Sequence, residues 1–153
     1  PYGMQLGDKA SRLIFGFTSI ININSSLKWG NQFKRKTVLN HDAWHFGDQT
    51  EINSWFKLVI KDDVSVSARL KFLHEDMIKG SNAHISAPVQ TANPNNYGGS
   101  QLFLGLGGNY KFTIFSSKHH ILGFECLLPV SQEKNNLQMK TDYQLVFSYQ
   151  RHF

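Results

Sequence analysis

The sequence has little of what a disulfide scaffold, a disordered chain or a helical membrane protein requires. Its single cysteine, Cys126, excludes an internal disulfide, and only four prolines with 18% charged residues argue against disorder. No uncharged run approaches the roughly 18 apolar residues of a helical membrane span. The mean hydropathy of −0.33 likewise excludes a helical membrane protein. It does not exclude a membrane β-barrel, because half of each strand in such a barrel is polar.

Long alternation of apolar and polar residues is what the sequence has instead. In residues 137–153, Tyr143, Leu145 and Phe147 fall on one face of a strand, and Gln144 and Ser148 fall on the other. A strand of that length exceeds the usual five or six residues, whereas a strand that crosses a bilayer needs about 9–11. The pattern, together with the aromatic residue at position 153, predicts the terminal strand of a bacterial outer-membrane β-barrel.

The same alternation predicts seven strands, at about 12–24, 27–39, 49–61, 64–74, 101–112, 119–128 and 137–153. Short turns at 24–26, 62–63 and 114–118 alternate with longer connections at 40–48, 75–100 and 130–136. Outer-membrane barrels have short periplasmic turns and long extracellular loops. This favours an outer-membrane location over a soluble barrel or sandwich. We therefore predict an all-β fold, an antiparallel transmembrane β-barrel in a single domain, 1–153.

Seven is an unusual strand number, because single-chain bacterial barrels normally have an even number of strands. Either residues 1–9 hide part of another strand, or the chain is the C-terminal part of a larger barrel. We favour the larger barrel, incomplete at its N-terminal side.

Basic residues dominate the predicted polar faces, whose acids are Glu51, Glu125 and Asp142. Like charges in a low-dielectric channel favour counter-charged solutes, so one interpretation is an anion-preferring lumen. The alternative is that these cations pair with acids on strands missing from this chain or simply solvate the wall. Arg12, Lys61 and Lys111 share the polar faces. The residues predicted to line the solute path are Lys28, Lys34, Lys36, Lys57, Arg69, Lys71 and Lys140.

Aromatic residues on the apolar faces fit the interfacial girdles of membrane barrels, where rings lie at the depth of the lipid headgroups. The expected partners are the lipid bilayer with its lipopolysaccharide, a small-molecule solute and, through the terminal strand, the barrel-assembly machinery. Trp55 falls on a polar face and is expected to pack in the lumen. The predicted interfacial aromatics are Trp29, Phe33, Tyr110, Tyr149 and Phe153.

Signals for catalysis, metals and nucleic acid are weak. His41 and His45 have i, i+4 spacing but lie in a loop, so they are only weak metal candidates, and we expect no cofactor. The basic charges are spread along strands, which argues against nucleic-acid binding. No Gly-x-Ser-x-Gly elbow, paired-cysteine metal motif or glycine-rich phosphate loop is present. An outer-membrane hydrolase using Ser116, Ser117 and His119, with Glu125 as the acid, is the weakest alternative, and we expect the protein not to be an enzyme.

Several short segments together resemble a known family. They are QLGD at 5–8, LKWGNQ at 27–32, DVSVSARL at 63–70, LGGNY at 106–110, LLPV at 127–130 and NLQ at 136–138, followed by residues 143–145 and the closing aromatic. In that order they are similar to the C-terminal half of the outer-membrane transporters of the MetA-pathway of phenol degradation family. The resemblance implies a Gram-negative, porin-like channel for uptake or efflux of small, often aromatic, compounds.

The expected function is passive passage of small anionic or aromatic solutes through a basic lumen in the outer membrane. The loop at 75–100 could then act as a gate at the mouth. The alternative is a small closed barrel whose extracellular loops act as an adhesin or as a structural or assembly partner.

Overall fold

The computed structural model describes residues 1–85, 88–114 and 117–151. Three short 3-10 helices, Tyr2–Met4, Gln90–Ala92 and Pro94–Asn96, lie outside the strands. Within the described ranges, no helix is long and apolar enough to cross a membrane. The strands are β1 Ser11–Asn22, β2 Leu27–Asn40, β3 Trp44–His45, β4 Gln49–Lys61, β5 Val64–Glu75, β6 Lys79–Gly80, β7 Gly99–Ile114, β8 Ser117–Lys134 and β9 Gln144–Arg151.

The seven long strands form one antiparallel sheet, in the order β1-β2-β4-β5-β7-β8-β9, that curves into a half-barrel. Each strand pairs with the long strand that follows it in the chain, as local connections favour. The all-β, antiparallel prediction with seven strands is therefore confirmed. Among the described residues, β1 and β9 are the two open edges. The sheet is a half-barrel and not a closed barrel.

Connections segregate by length, as predicted. The connections at 23–26 and 62–63 lie at one end of the sheet, the short-turn end, and those at 41–48, 76–98 and 135–143 lie at the other, the long-loop end. Of the predicted turn at 114–118, residues 115–116 lie outside the described residues. The predicted alternative that residues 1–9 hide a strand is wrong, because a short 3-10 helix, Tyr2–Met4, lies there.

The predicted ends of the last two strands are wrong. Strand β8 does not stop at Pro129, which lies opposite Phe103 beside a register shift, and a bulge is where a strand tolerates proline. Strand β9 begins at Gln144 and not at residue 137. The backbone N–H of Thr141 donates to Gln132 Oε1 at 2.8 Å, and Gln138 Nε2 donates to the carbonyl of Gly98 at 2.7 Å. These side-chain bonds replace ladder bonds over this segment.

The two faces of the sheet differ in exposure. The register places Asn53, Ser65, Phe103 and Leu127 on one face, where all four are buried. Side chains crowd on the inside of a curved sheet, so this face is the concave one. The other, convex face carries exposed apolar side chains, among them Phe17, Ile52, Phe56, Leu70, Leu104, Leu106, Leu122, Phe124, Leu128, Leu145 and Phe147.

A separate apolar core forms at the long-loop end, in the loop cap that we define as residues 1–8, 41–48 and 76–98. Buried Tyr2, Trp44 and Ile78 form its centre, and Phe46, Ile85 and Tyr97 pack around them. The two-residue strands β3 and β6 pair within it. Gly80 has a φ of +79° and would place a Cβ 2.1 Å from the carbonyl oxygen of Ala43, so only glycine fits there.

Candidate functional site

Six of the seven residues predicted to line a solute path share the concave face, which is the candidate site. Because side chains alternate along a strand and pair across it, the register brings together residues that are far apart in the sequence. Lys140 is the exception, since it lies in the 135–143 connection before β9 and not on a strand. The six are Lys28, Lys34 and Lys36 on β2, Lys57 on β4, and Arg69 and Lys71 on β5.

Glu51 compensates one group of these cations. Lys34 lies directly opposite Glu51 across β2 and β4, with Nζ 3.0 Å from Oε2. The amide of buried Asn53 donates to the other oxygen, Oε1, at 2.8 Å. Lys71 also acts electrostatically on Glu51. This part of the concave face is thus a network of both charges, and such partly exposed pairs are worth about 1 kcal/mol or less each.

Arg69 is held by both an acid and an aromatic ring. Its Nε lies 2.8 Å from Glu125 Oε1, in an ion pair whose N–H is poorly aligned for a hydrogen bond. Its guanidinium carbon lies 5.6 Å from the centre of the Trp55 ring, a cation–π distance. A Cβ at Gly30 would lie 2.2 Å from that ring, so Gly30 leaves the space that Trp55 fills. Trp55 thus packs between Gly30 and Arg69 on the concave face, and its place in a lumen stays a prediction.

Lys28 and Lys57 form a contrasting part of the face. They lie directly opposite one another on β2 and β4, and Lys28 and Lys111 both act electrostatically on Lys57. Within 1–85, 88–114 and 117–151, no ion pair involves any of these three side chains. Positive charge is therefore concentrated at the short-turn end, where these residues lie.

The concave face is not uniformly polar. Phe103 is 1% exposed and lies opposite Lys71 and Pro129, and Leu127 is 3% exposed and lies opposite Gly105 and Gln144. The sequence analysis did not identify these two core residues. The sequence signal that could have placed them is the period-two alternation, which assigns both residues to the polar faces of β7 and β8.

Two carboxylates fasten the loop cap to the sheet, and the sequence analysis did not identify them either. The Arg12 guanidinium pairs with Asp8, and the backbone N–H of Phe46 donates to Asp8 Oδ2 at 2.8 Å. The hydrogen bond from Arg12, aided by backbone N–H groups, holds the pKa of Asp8 well below its usual range despite burial.

Asp48 plays the same part on β2. Its carboxylate accepts from Thr37 Oγ1 at 2.7 Å, from the backbone N–H of Val38 at 2.9 Å and from Arg35 at 2.9 Å. Desolvation acts to raise the pKa of Asp48, but these hydrogen bonds and the Arg35 charge together lower it. Both anchors are thus carboxylates that favour their ionised form.

Three of the predicted interfacial aromatics gather near the short-turn end of the convex face. Trp29 stacks on Phe56 at 5.9 Å, Tyr110 stacks on Phe112 at 6.1 Å, and the Tyr149 hydroxyl lies 2.7 Å from His120 Nδ1. Their places near the strand ends fit a girdle at one membrane interface.

The other two predicted aromatics differ. Phe33 lies in the middle of β2, opposite Phe17 and Ile52. It therefore belongs to the apolar band and not to a rim. Phe153 lies outside the described residues.

His41 and His45 come closer than a loop would be expected to bring them, with ring centres 4.3 Å apart. Each Nδ1 lies within hydrogen-bond distance of a backbone carbonyl oxygen, at 2.7 Å for His41 and 2.9 Å for His45, and so must donate to it. In the part of the chain that the structure describes, no group of three or more metal-ligating side chains forms. The structure thus brings the two rings together as a pair.

The serines and the histidine proposed for a hydrolase fall at the start of β8 or just before it, outside the described side chains. Ser116 lies outside the described residues, and the side chains of Ser117 and His119 are not described. The acid of that arrangement, Glu125, is engaged with Arg69.

Comparison with known proteins finds no relative. No family model matches the chain, and no curated protein or solved structure is significantly similar to it. The resemblance to the MetA-pathway of phenol degradation family stays a prediction, and the function is argued from the geometry.

Proposed function

We propose that the half-barrel is part of the wall of an outer-membrane channel through which small anionic or aromatic solutes diffuse passively. The observation that carries the proposal is the distribution of side chains on the sheet, which has apolar residues on its outer face and charged residues on its inner face. Its convex face exposes large apolar side chains, whereas its concave face holds Lys28, Lys34, Lys36, Lys57, Lys71, Lys111 and Arg69. A lipid-facing outer surface with a polar lumen requires this arrangement.

The convex surface supports the membrane part of the proposal. Phe17, Leu106 and Phe147 are 64%, 60% and 76% exposed, and lie on strands that span the sheet from edge to edge. Contiguous apolar patches of more than a few hundred Å² are rare on soluble monomers. We propose that lipid and lipopolysaccharide chains cover this band, with the Trp29, Tyr110 and Tyr149 rings at one interface.

The two open edges bear on how a barrel would close. Seven antiparallel strands leave β1 and β9 running in the same direction. Open edges are not tolerated in the hydrocarbon core, because their N–H and C=O groups would lack partners. Antiparallel closure therefore needs an odd number of further strands. The intact mass of the native protein from the outer membrane tests whether further strands exist. A mass well above the 17.5 kDa of this chain is the result expected if they do.

Ion selectivity in planar bilayers tests the channel itself. The native protein should conduct with anion preference in a KCl gradient. Exchanging Lys34, Lys36, Lys57 and Lys71 for Gln should shift the reversal potential toward cation preference, because the lumen loses four positive charges. The control exchanges Lys9 and Lys79 for Gln, since both are exposed and lie off the seven-stranded sheet, Lys79 in the loop cap and Lys9 between the cap and β1. Unchanged selectivity in the first variant, or no conductance, would contradict the proposal.

A second candidate function is binding of a partner through the loops, as in an adhesin or an assembly protein. The observation that favours it is the packed aromatic core of the loop cap, built on Tyr2, Trp44 and Ile78. Loops that only connect strands do not need such a core. Removing residues 81–96 should then abolish partner binding while the sheet and any conductance persist, whereas altered gating in that variant would favour the channel.

A further inference from the structure

The cations of the concave face divide into a compensated and an uncompensated set. Lys34 and Arg69 are paired with Glu51 and Glu125, and Lys36 acts electrostatically on Glu75. The uncompensated set is Lys28, Lys57 and Lys111, which we call the lysine triad. The amino-acid composition does not predict which cations are compensated, because both sets lie on the same face of the sheet.

The lysine triad concentrates positive charge at a place where that charge does not stabilise the sheet. Lys28 and Lys57 are direct cross-strand partners, and like charges directly opposite one another are destabilising. Lys111 adds a third positive charge that acts on Lys57. The acids nearest in sequence are Asp62 and Asp63 in the adjoining turn, and within the described residues neither forms an ion pair with the triad.

The surface next to the lysine triad carries small polar side chains. Ser67 is the cross-strand partner of Lys57, and Gly107 is the partner of Ser67, so the row beside Lys57 holds only small residues as far as Glu125. Ser67 also lines a cavity of about 240 Å³, together with Asn109, Ser148, Arg69 and Glu125, and the Glu125 carboxylate there is paired with Arg69. Hydroxyl and amide groups can donate hydrogen bonds to oxyanions, as the ammonium groups can.

We infer that the lysine triad, with Ser67 and Asn109, binds a small oxyanion that carries two or more negative charges, such as phosphate or a phosphate monoester. Three ammonium groups compensate a dianion, and lysine binds phosphate as a mobile point charge. The inference rests on the proposed function, since it takes the concave face as the solute path. It locates the selective element at the short-turn end and not along the whole basic wall.

Binding of inorganic phosphate to the full chain in detergent micelles tests the site, measured by calorimetry at constant ionic strength. The native chain should bind phosphate saturably. Lys57→Gln should weaken binding about tenfold, because it removes a charge-assisted hydrogen bond, and Lys57→Arg should restore most of the affinity. The matched control is Lys34→Gln, which removes a lysine already paired with Glu51 and should change affinity less than twofold, on the order of a solvent-screened charge.

Two results would overturn the inference: no saturable binding to the native chain, or an equal loss in Lys57→Gln and Lys34→Gln. Binding in micelles needs no conductance, so the site and the channel can fail separately. Phosphate binding without anion-selective current would support the site and contradict the channel. Anion-selective current without phosphate binding would support the channel and contradict the site.

Discussion

The sheet and the loop cap of this protein solve opposite packing problems. In the cap, Tyr2 and Trp44 are 1% and 7% exposed, and their rings meet edge to face at 4.7 Å. In the sheet, rings of similar size such as Phe17 and Phe147 lie exposed on the convex face. The cap buries its large apolar side chains, as the core of a water-soluble protein does, whereas the convex face leaves them exposed.

The comparison shows that one chain places its aromatic rings in two opposite environments, buried in the cap and exposed on the convex face. The cap gains its stability by removing aromatic surface from water. The sheet gains its order from backbone pairing along long strands, and its apolar face offers surface that a bilayer would cover. The boundary between the two regions is marked by Asp8 and Asp48, the carboxylates that tie the cap to β1 and β2.

The largest effect should come from emptying the cap core. Trp44→Ala should destabilise the cap by about 3–5 kcal/mol, the usual cost of removing a large buried ring. Hydrogen exchange should then rise in residues 76–85 and stay low in β4, β5, β7 and β8. The control is Met4→Ala, at an 80% exposed position of the same cap. Loss of protection throughout the sheet would show that the two regions fold as one unit.

The next effect tests the convex face. In lipid vesicles, Leu106→Arg should lower the free energy of unfolding by about 2–4 kcal/mol, the cost of a charge near the bilayer midplane. Leu106 lies in the middle of β7 and is 60% exposed. Leu137→Arg, at a 64% exposed position outside the strands, is the matched control and should have little effect. If both variants equal the native chain in stability, the convex face does not lie in lipid.

The carboxylate anchors should make the cap sensitive to acid. The pKa of Asp8 and that of Asp48 are lowered in the folded chain, so their contribution is complete above about pH 4 and is lost progressively as the pH falls below it. Asp8→Asn should remove about 1–3 kcal/mol at neutral pH and flatten this acid dependence.

The measurement for the anchors is urea unfolding of the cap at pH 7 and at low pH. Asp42→Asn is the control, since Asp42 is an exposed cap residue outside the ion pairs described. The same acid dependence in Asp8→Asn as in the native chain would contradict an anchoring role for this carboxylate.

The smallest expected effect is a difference in the rate of thiol labelling at Cys126, the single cysteine. Cys126 lies on the convex face between Leu106 and Leu145. In vesicles, a charged, water-soluble thiol reagent should label it slowly, because lipid covers that face. In a Cys126→Ser background, Ser67→Cys on the concave face should be labelled much faster. Equal labelling rates, read by mass spectrometry, would remove the distinction between the two faces.

Sequence reasoning located β1, β2, β4 and β5 to within about two residues, because alternation with period two is a local signal. It failed at residues 137–143, where side chains such as Gln138 bind distant backbone groups. It failed again at Pro129, where a bulge accommodates the missing N–H group. Both failures depend on a partner strand or loop that local pattern does not contain.

The candidate site divides in the same way. Alternation alone placed Lys28, Lys34 and Lys57 on one face, because side-chain direction is set within each strand. It could not say that Lys34 meets Glu51 while Lys28 meets Lys57, since that is decided by the register between β2 and β4. Which cations remain uncompensated is therefore a property of strand pairing.

The sequence by itself determined that the protein has seven long strands with one apolar and one polar side, because that pattern repeats every two residues. Only the tertiary structure decided that the sheet curves with its cations inside. It also decided that Tyr2, Trp44 and Ile78 meet in one core, although long stretches of chain separate them. Curvature, register and long-range contact depend on the whole sheet, so no local window of sequence contains them.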